Sequence, residues 1–361
     1  MKITEIRVRT VEVPDEDVYA GPVERLPKIW PVVTLRIRTD QGVEGIGFAF
    51  SQGGLTRALH AATEELAALL VGDDPQRIEA AIAKLNRAAS SLGGSGLFLF
   101  ALAAIDTALW DIKGKVAGQP LWKLLGGTRN RIPCYASGPL HRGLSDDQIA
   151  GAAERIVAKG FRIVKMHLAL DGDPTTAREV NRARLVREAV GPDIRLTCDI
   201  NERWRTAQAI DIGRRLAELD FFWIEDPTRH DDYAGLAEIA AALDTPVMAG
   251  ERNLGVTPYR LMLEARSVDI AMIDWMCVGG ITPWLKIAAM AEAFNTPVIS
   301  HLAPEIQAQL VAAVPNGLVA EFKSWLWRLF EQPPVFEDGA FVLSDRPGLG
   351  LSFSREFADR T

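Results

Sequence analysis

From about residue 131 to residue 322, short apolar runs alternate with amphipathic segments, and this rhythm constrains the fold more than any other feature. The runs are IPCYASG, FRIVKMHLAL, IRLTCDI, FFWIEDP, PVMAGE, DIAMID, TPVISH and GLVAEF. Between them lie helical stretches such as IAGAAERIVAKG, ARLVREAVG, AIDIGRRLAEL and LKIAAMAEAFN. Strands separated by helices predict a parallel sheet, because a parallel neighbour is reached only through a crossover. Eight strand candidates over roughly 190 residues predict a closed (β/α)8-type, TIM-like barrel, compact against a norm of about 250.

A strand of such a barrel is expected to end on an apolar residue and a loop. Several here end on acids instead: Asp199 in LTCDIN, Glu225 in WIEDP and Glu251 in MAGER. Each is 26 residues from the next, one βα repeat. Three successive strands therefore carry carboxylates to one level at the C-terminal mouth, where such barrels build their sites. Carboxylates that close repel one another unless a cation neutralises them. All-oxygen ligation with open positions favours Mg²⁺, with Mn²⁺ as a substitute. Any one of these acids would serve as a helix cap; three in register point to a metal centre. Asn201 and Asp226, just beyond, are cap or supporting candidates, and Asn201 is also a substrate-binding candidate.

The next three strands continue the series with Asp274, His301 and Glu321. Asp274 and His301 end neighbouring strands, so the carboxylate is expected to orient the imidazole and stabilise its protonated form. On the second strand, Lys165 and His167 are two positions apart and so share a face. Facing the mouth, they put basic groups opposite His301 across the metal. Lys165 and the metal concentrate positive charge where a substrate carboxylate loses its α-proton. The same charge holds His167 neutral, as a base requires. The alternative leaves both facing outward under a helix, with Lys165 reaching for solvent.

The first third of the chain reads as α+β. KITEIRVRTVEV alternates, and PVVTLRIRTDQGVEGIGFAF is a hairpin turning at Asp40 and Gly42. Helices are expected near 54–71, 75–90 and 97–116, the last buried on most sides. VFEDGAFVLSDRPGLGLSF returns to strand and turn and is expected to rejoin the N-terminal layer. A net charge of −7 excludes a basic surplus for nucleic acid or an anionic membrane. Cys134, Cys198 and Cys277 form no CxxC and read as reduced thiols of a cytoplasmic protein. The N-terminus reads as a strand and not as a signal peptide.

In this order the motifs are specific. ALAAIDTALWDIKGKVAGQPLWKLLGG, CDIN, WIEDP, GER, DWMCVGGITPW, SHLAPE, the strand-8 glutamate and RPGLGL together resemble the mandelate racemase-like subgroup of the enolase superfamily over essentially the whole chain. The resemblance implies an α+β capping domain over 1–128, a barrel over 129–325 and a segment 326–361 returning to the cap. It implies metal-assisted removal of the proton α to a carboxylate, with Asp199, Glu225 and Glu251 as ligands and Asp274–His301 as a dyad. Glu321 matches the glutamate that hydrogen-bonds the substrate carboxylate. The chain departs from the subgroup's Lys-x-Lys at Lys165-Met166-His167, which leaves the second base open between Lys165 and His167.

GIGFAFS, GGSGLF, VGGITPWLKIA and AEFKSWLWRLFE look most like acid-sugar dehydratases of the talarate/galactarate type. The expected reaction eliminates the β-hydroxyl of an aldonate or aldarate to give a 2-keto-3-deoxy acid. The alternative is a racemase or epimerase using both faces without elimination; below both stands a non-catalytic binding protein. Cycloisomerase relatives are disfavoured by the strand-7 histidine. In the cap, 19–31 and 50–56 are the candidate specificity loops. Arg25 and Lys28 either meet a distal carboxylate or hydroxyls or are solvated loop charges. The family implies a homo-oligomer, an octamer or a dimer.

Overall fold

The structure is a computed structural model that describes residues 1–15, 29–51, 54–172 and 175–358. Three antiparallel strands, β1 (Ile3–Pro14), β2 (Ile29–Thr39) and β3 (Glu44–Phe50), form one sheet in chain order. The β2–β3 turn falls where Asp40 and Gly42 predict it, with Gly42 at φ 75°. Helices α1 (Thr56–Ala68), α2 (Ile78–Ala88), α3 (Leu97–Ala117) and α4 (Leu121–Leu124) follow. Helix α3 lies directly on β3 because Gly45 and Gly47 offer no side chain. A Cβ at either would stand 2.2 or 2.0 Å from a carbonyl oxygen of Ala108 or Ala104.

The barrel strands are β4 (Arg131–Leu140), β5 (Ile163–His167), β6 (Arg195–Asp199), β7 (Phe221–Glu225), β8 (Val247–Ala249), β9 (Ile270–Ile273), β10 (Val298–Ser300) and β11 (Ala320–Phe322). They pair in parallel from β4 through β10, and β11 returns to β4. Between β10 and β11 the ring closes through one bridge, Val298 with Gly317, and a hydrogen bond from Glu321 N to Ser300 Oγ at 2.9 Å. The interior below the mouth is filled by Tyr135, Trp223, Met248, Met272, Ile299 and their neighbours.

The connecting helices are α5 (Asp146–Ala158), α6 (Thr176–Val190), α7 (Thr206–Leu216), α8 (Tyr233–Ala242), α9 (Thr257–Glu264), the pair α10 (Trp275–Val278) and α11 (Ile281–Ala293), and α12 (Pro304–Ala313). In the described residues no α-helix follows β11 directly. A single helical turn over 327–329 leads into the hairpin β12 (Val335–Glu337) and β13 (Ala340–Val342). This hairpin differs from the sequence expectation. It pairs with Arg131–Pro133 of β4, whose first residues overhang the barrel and leave an edge to cover.

The chain on either side of the hairpin reaches the N-terminal layer. Leu349 N donates to Asp111, Pro120 bridges Gly348, and Arg36 lies 5.0 Å over the Phe353 ring. Trp30 of β2 stacks on Trp325 at 4.7 Å, and Phe48 meets Trp275 and Phe330 edge-on. No described helix is long and apolar enough to cross a membrane. All three cysteines are free thiols.

Candidate active site

A cavity of about 770 Å³ opens at the C-terminal ends of the barrel strands. Its walls include Lys165, His167, Asp199, Asn201, Glu251, Asp274, His301 and Glu321, with Phe50, Ser51 and Phe100 from the N-terminal layer. Of the sequence candidates, Glu225 is not on the wall. It is fully buried and receives Lys165 Nζ at 2.7 Å and Trp223 Nε1 at 3.4 Å. Arg25 and Lys28 lie outside the described residues.

Strand register sets the carboxylates. Asp199 pairs directly with Glu225 across β6 and β7 and with His167 across β5 and β6. Glu251 follows β8 after Gly250, whose carbonyl is held by Tyr259 Oη at 2.8 Å. Lys165 draws three strands together: Glu225, Asp199 at 3.3 Å and Glu321 at 3.4 Å, while its ammonium lies 5.5 Å over the Tyr135 ring. Burial raises the Glu225 carboxyl well above its ordinary value, and Asp199, Glu251 and Glu321 add to this against Lys165. Asp226, beside it, is also raised by burial, and both its oxygens are buried without a hydrogen bond. The cluster is therefore short of positive charge.

The two histidines are set oppositely. Asp274 Oδ1 caps α10, accepting from Met276 N at 2.8 Å and Cys277 N at 2.9 Å. Its Oδ2 is left for His301 Nδ1 at 2.7 Å, and His301 Nε2 faces Glu251 at 3.1 Å. An imidazole with a carboxylate oxygen at each nitrogen carries both protons. Burial opposes this charge, but Glu251 and Asp274 outweigh it and raise His301 to about 10. Among the described residues His167 has only Asp199, at 3.6 Å from Nε2, and its Nδ1 is buried without a partner. Burial, with Lys165, Lys323 and Arg142 nearby, pushes it down to about 3, so the ring is neutral.

The backbone fixes His301 as well. Leu302 and Ala303 adopt positive φ and turn the chain sharply into α12, and Gln307 Nε2 donates to the His301 carbonyl. Leu302 N donates to Glu321 Oε2 at 2.6 Å. Burial alone would raise Glu321, but Lys165 and His301 hold it at about 2.

Residues 148–357 match the family described as "Enolase C-terminal domain-like". Residues 27–126 match the mandelate racemase / muconate lactonizing enzyme N-terminal domain. The chain belongs to the mandelate racemase / muconate lactonizing enzyme family of the enolase superfamily. It is 35% identical over 346 residues to L-talarate/galactarate dehydratase of Salmonella typhimurium, covering 95% of this chain and 85% of that protein. It is 32% identical to 3,6-anhydro-alpha-L-galactonate cycloisomerase of Streptomyces coelicolor, covering 90% of each. The solved structure of L-talarate dehydratase from Polaromonas sp. JS666, complexed with Mg and L-glucarate, superposes with a TM-score of 0.92. The identity there is 32%, over 100% of this chain and 97% of that one.

Within this family frame, the described residues contain no group of three or more His, Cys, Asp or Glu drawn together as they would be around an ion. Two contacts account for this: Lys165 Nζ stands among Asp199, Glu225 and Glu321, and Glu251 turns to His301. The donor set itself fits a hard divalent cation. It is all carboxylate oxygen, buried and underneutralised; Asp199 and Glu225 stand in register, while Glu251 lies three residues beyond Met248, the partner of Glu225. Asn201 reaches the wall at φ 50°; its N donates to Asp199 Oδ1 and its Oδ1 accepts from Arg142.

Arg142, Arg203, Arg252, His230, Lys323 and Trp325 also line the cavity, and sequence reasoning did not single them out. Arg142 and Arg203 lie two and four residues beyond the ends of β4 and β6. Counting cations as well as acids past each strand end would have found them.

Proposed function

We propose that this chain is a Mg²⁺-dependent acid-sugar dehydratase, a hydro-lyase that turns an aldonate or aldarate into a 2-keto-3-deoxy acid. One observation carries the reading: two imidazoles set oppositely line one cavity above a carboxylate cluster, His301 bound at Nδ1 by Asp274 and His167 with its Nδ1 left without a partner. Proton removal and leaving-group protonation need that opposition. The relatives support it: one is named for dehydration of talarate and galactarate, and another holds Mg and L-glucarate.

Asp199, Glu225 and Glu251 would hold the metal, which when bound supplies positive charge to the substrate carboxylate. Lys165 adds charge on the same side, and Glu321 holds that ammonium in place. His167 takes the α-proton. The electron pair left on the α-carbon expels the β-hydroxyl, which takes a proton from His301 and departs as water. Asp274 keeps the His301 ring turned to the cavity. Asn201 contributes its side-chain amide at the wall. The enol then loses its hydroxyl proton and takes up a proton at the former β-carbon to give the keto acid.

The same two imidazoles would serve an epimerase if no β-hydroxyl left, which is the second reading. We read residues 1–128 as the cap, 129–325 as the barrel and 326–361 as the returning segment, in a cytoplasmic homo-oligomer; sedimentation velocity tests the assembly. The deciding experiment incubates Mg²⁺-loaded protein with mono- and diacid sugars and assays 2-keto-3-deoxy products. Product is expected with wild type and reduced at least ~10²-fold in His301→Asn. Inversion without keto acid would favour the epimerase, and an inert protein would remove both readings.

A further inference from the structure

Most cations on the cavity wall are matched by carboxylates. Lys165 has three. Arg203 holds Asp171 at 2.7 Å, Arg252 lies between Glu251 and Glu202, and His230 holds Glu202 at 2.8 Å. Lys323 lies 4.6 Å over the Trp325 ring. Arg142 is different. Its Nε donates to the Leu168 carbonyl at 3.1 Å and its Nη2 to Asn201 Oδ1 at 2.8 Å, and neither acceptor carries charge. Among the described residues no carboxylate oxygen lies within 4.0 Å of this guanidinium, and Nη1 donates to no acceptor. Asp199, Asp171 and Glu179 reach it only through longer-range attraction.

The group is half-buried. Burial, with Arg203 nearby, holds it below the ordinary arginine value. A guanidinium partly withdrawn from water without a counter-ion favours an anionic partner, and its planar fork matches a carboxylate well. Two fixed hydrogen bonds orient the fork while leaving an edge open. The cavity is large enough for a six-carbon acid. The cluster at Asp199, Glu225 and Glu251 takes one end of such a substrate, and Arg142 is joined to Asp199 indirectly, through the Asn201 side chain and the Leu168 backbone.

We infer that Arg142 receives a second carboxylate of the substrate, so that the cavity selects sugar diacids over the corresponding monoacids. This inference rests on the acid-sugar reading above. Arg142 acts in specificity and touches no reacting carbon.

The test pairs six-carbon sugar diacids with monoacids of the same configuration on Mg²⁺-loaded wild type, Arg142→Gln and Arg142→Lys. Wild type is expected to favour the diacid in kcat/KM. Arg142→Gln is expected to cut the diacid-to-monoacid ratio roughly 10- to 100-fold, mainly through KM, the loss of one charge-assisted contact. Arg142→Lys, with charge but no fork, falls between and carries the test if the glutamine variant fails to fold. A ratio unchanged by substitution, or a wild type that favours monoacids, overturns the inference. Calorimetric binding of the same pairs reads the ratio without turnover. Diacid-selective binding that depends on Arg142, with no product formed, sinks the dehydratase reading and keeps this one; product formation with an unmoved ratio does the reverse.

Discussion

Lys165 directs one ammonium at carboxylates from β6, β7 and β11, while His167, two residues on, touches little. The division of labour follows. A cation so placed stabilises charge and stays protonated, since Glu225, Asp199 and Glu321 raise it well above its ordinary value despite burial. His167, whose Nδ1 is left without a partner, is the candidate to accept a proton. In deuterated water, wild type is expected to exchange the substrate α-proton. His167→Ala should lose that exchange by ~10²- to 10⁴-fold while still binding Mg²⁺. Exchange at the wild-type rate in His167→Ala, with a dead Lys165→Ala, would make Lys165 the base. The shared face of these two residues was legible from their spacing. Their partners were not: Glu225 and Glu321 are 60 and 156 residues from Lys165, and only barrel closure brings them to one ammonium.

Helix α11 begins without a side-chain cap of its own, at Gly280. The missing acceptor comes from another element. Asp106, buried in α3, takes Thr282 N at 2.9 Å on Oδ2 and Thr282 Oγ1 at 2.7 Å on Oδ1. Gly280, at φ 118°, makes room; a Cβ there would stand 2.5 Å from Asp106 Oδ2. Burial raises Asp106 from 3.8 to about 7 in spite of these donors. Between those values the folded state binds the proton more tightly than the unfolded chain. Stability from this group is thus complete below pH 3.8 and lost as pH rises to about 7. Asp106→Asn is uncharged throughout. Relative to wild type it should gain roughly 1 kcal/mol per pH unit between pH 4 and 7, and nothing above. Denaturant unfolding of both proteins at pH 5, 6 and 8 checks this, and a pH-independent difference would refute it. The helix and strand runs behind this packing were readable from periodicity, because each buries one face. The hairpin's partner was not, because β12 and β13 carry no signal that distinguishes one uncovered edge from another.

The two layers of the molecule are joined by a few buried contacts. Asp111 is the clearest, accepting from Ile46 N of β3 at 2.9 Å, Leu349 N of the returning segment at 2.8 Å and Lys115 Nζ at 2.6 Å. Its removal strands two backbone N–H groups and leaves Lys115 Nζ with the Glu44 carbonyl. Asp111→Ala should cost about 3 kcal/mol in denaturant unfolding, a lower midpoint with an unchanged slope. A loss below about 1 kcal/mol would show that the joint is carried by the aromatic contacts of Trp30, Phe48 and Phe353 instead. The cavity has Phe50, Ser51 and Phe100 of the N-terminal layer on its wall.

The Asp111–Leu349 bond also has a consequence in time. Its partners are 238 residues apart in the chain. At ribosomal rates of about 5–20 residues per second, Asp111 waits roughly 10–50 s for Leu349 to be made. Until then the inner surface of the N-terminal layer is without its last donor, and β3 and α3 are held by a carboxylate still partly open to water. A nascent chain at that stage exposes an unfinished seam to chaperones and proteases, and a residue made long after Asp111 closes it.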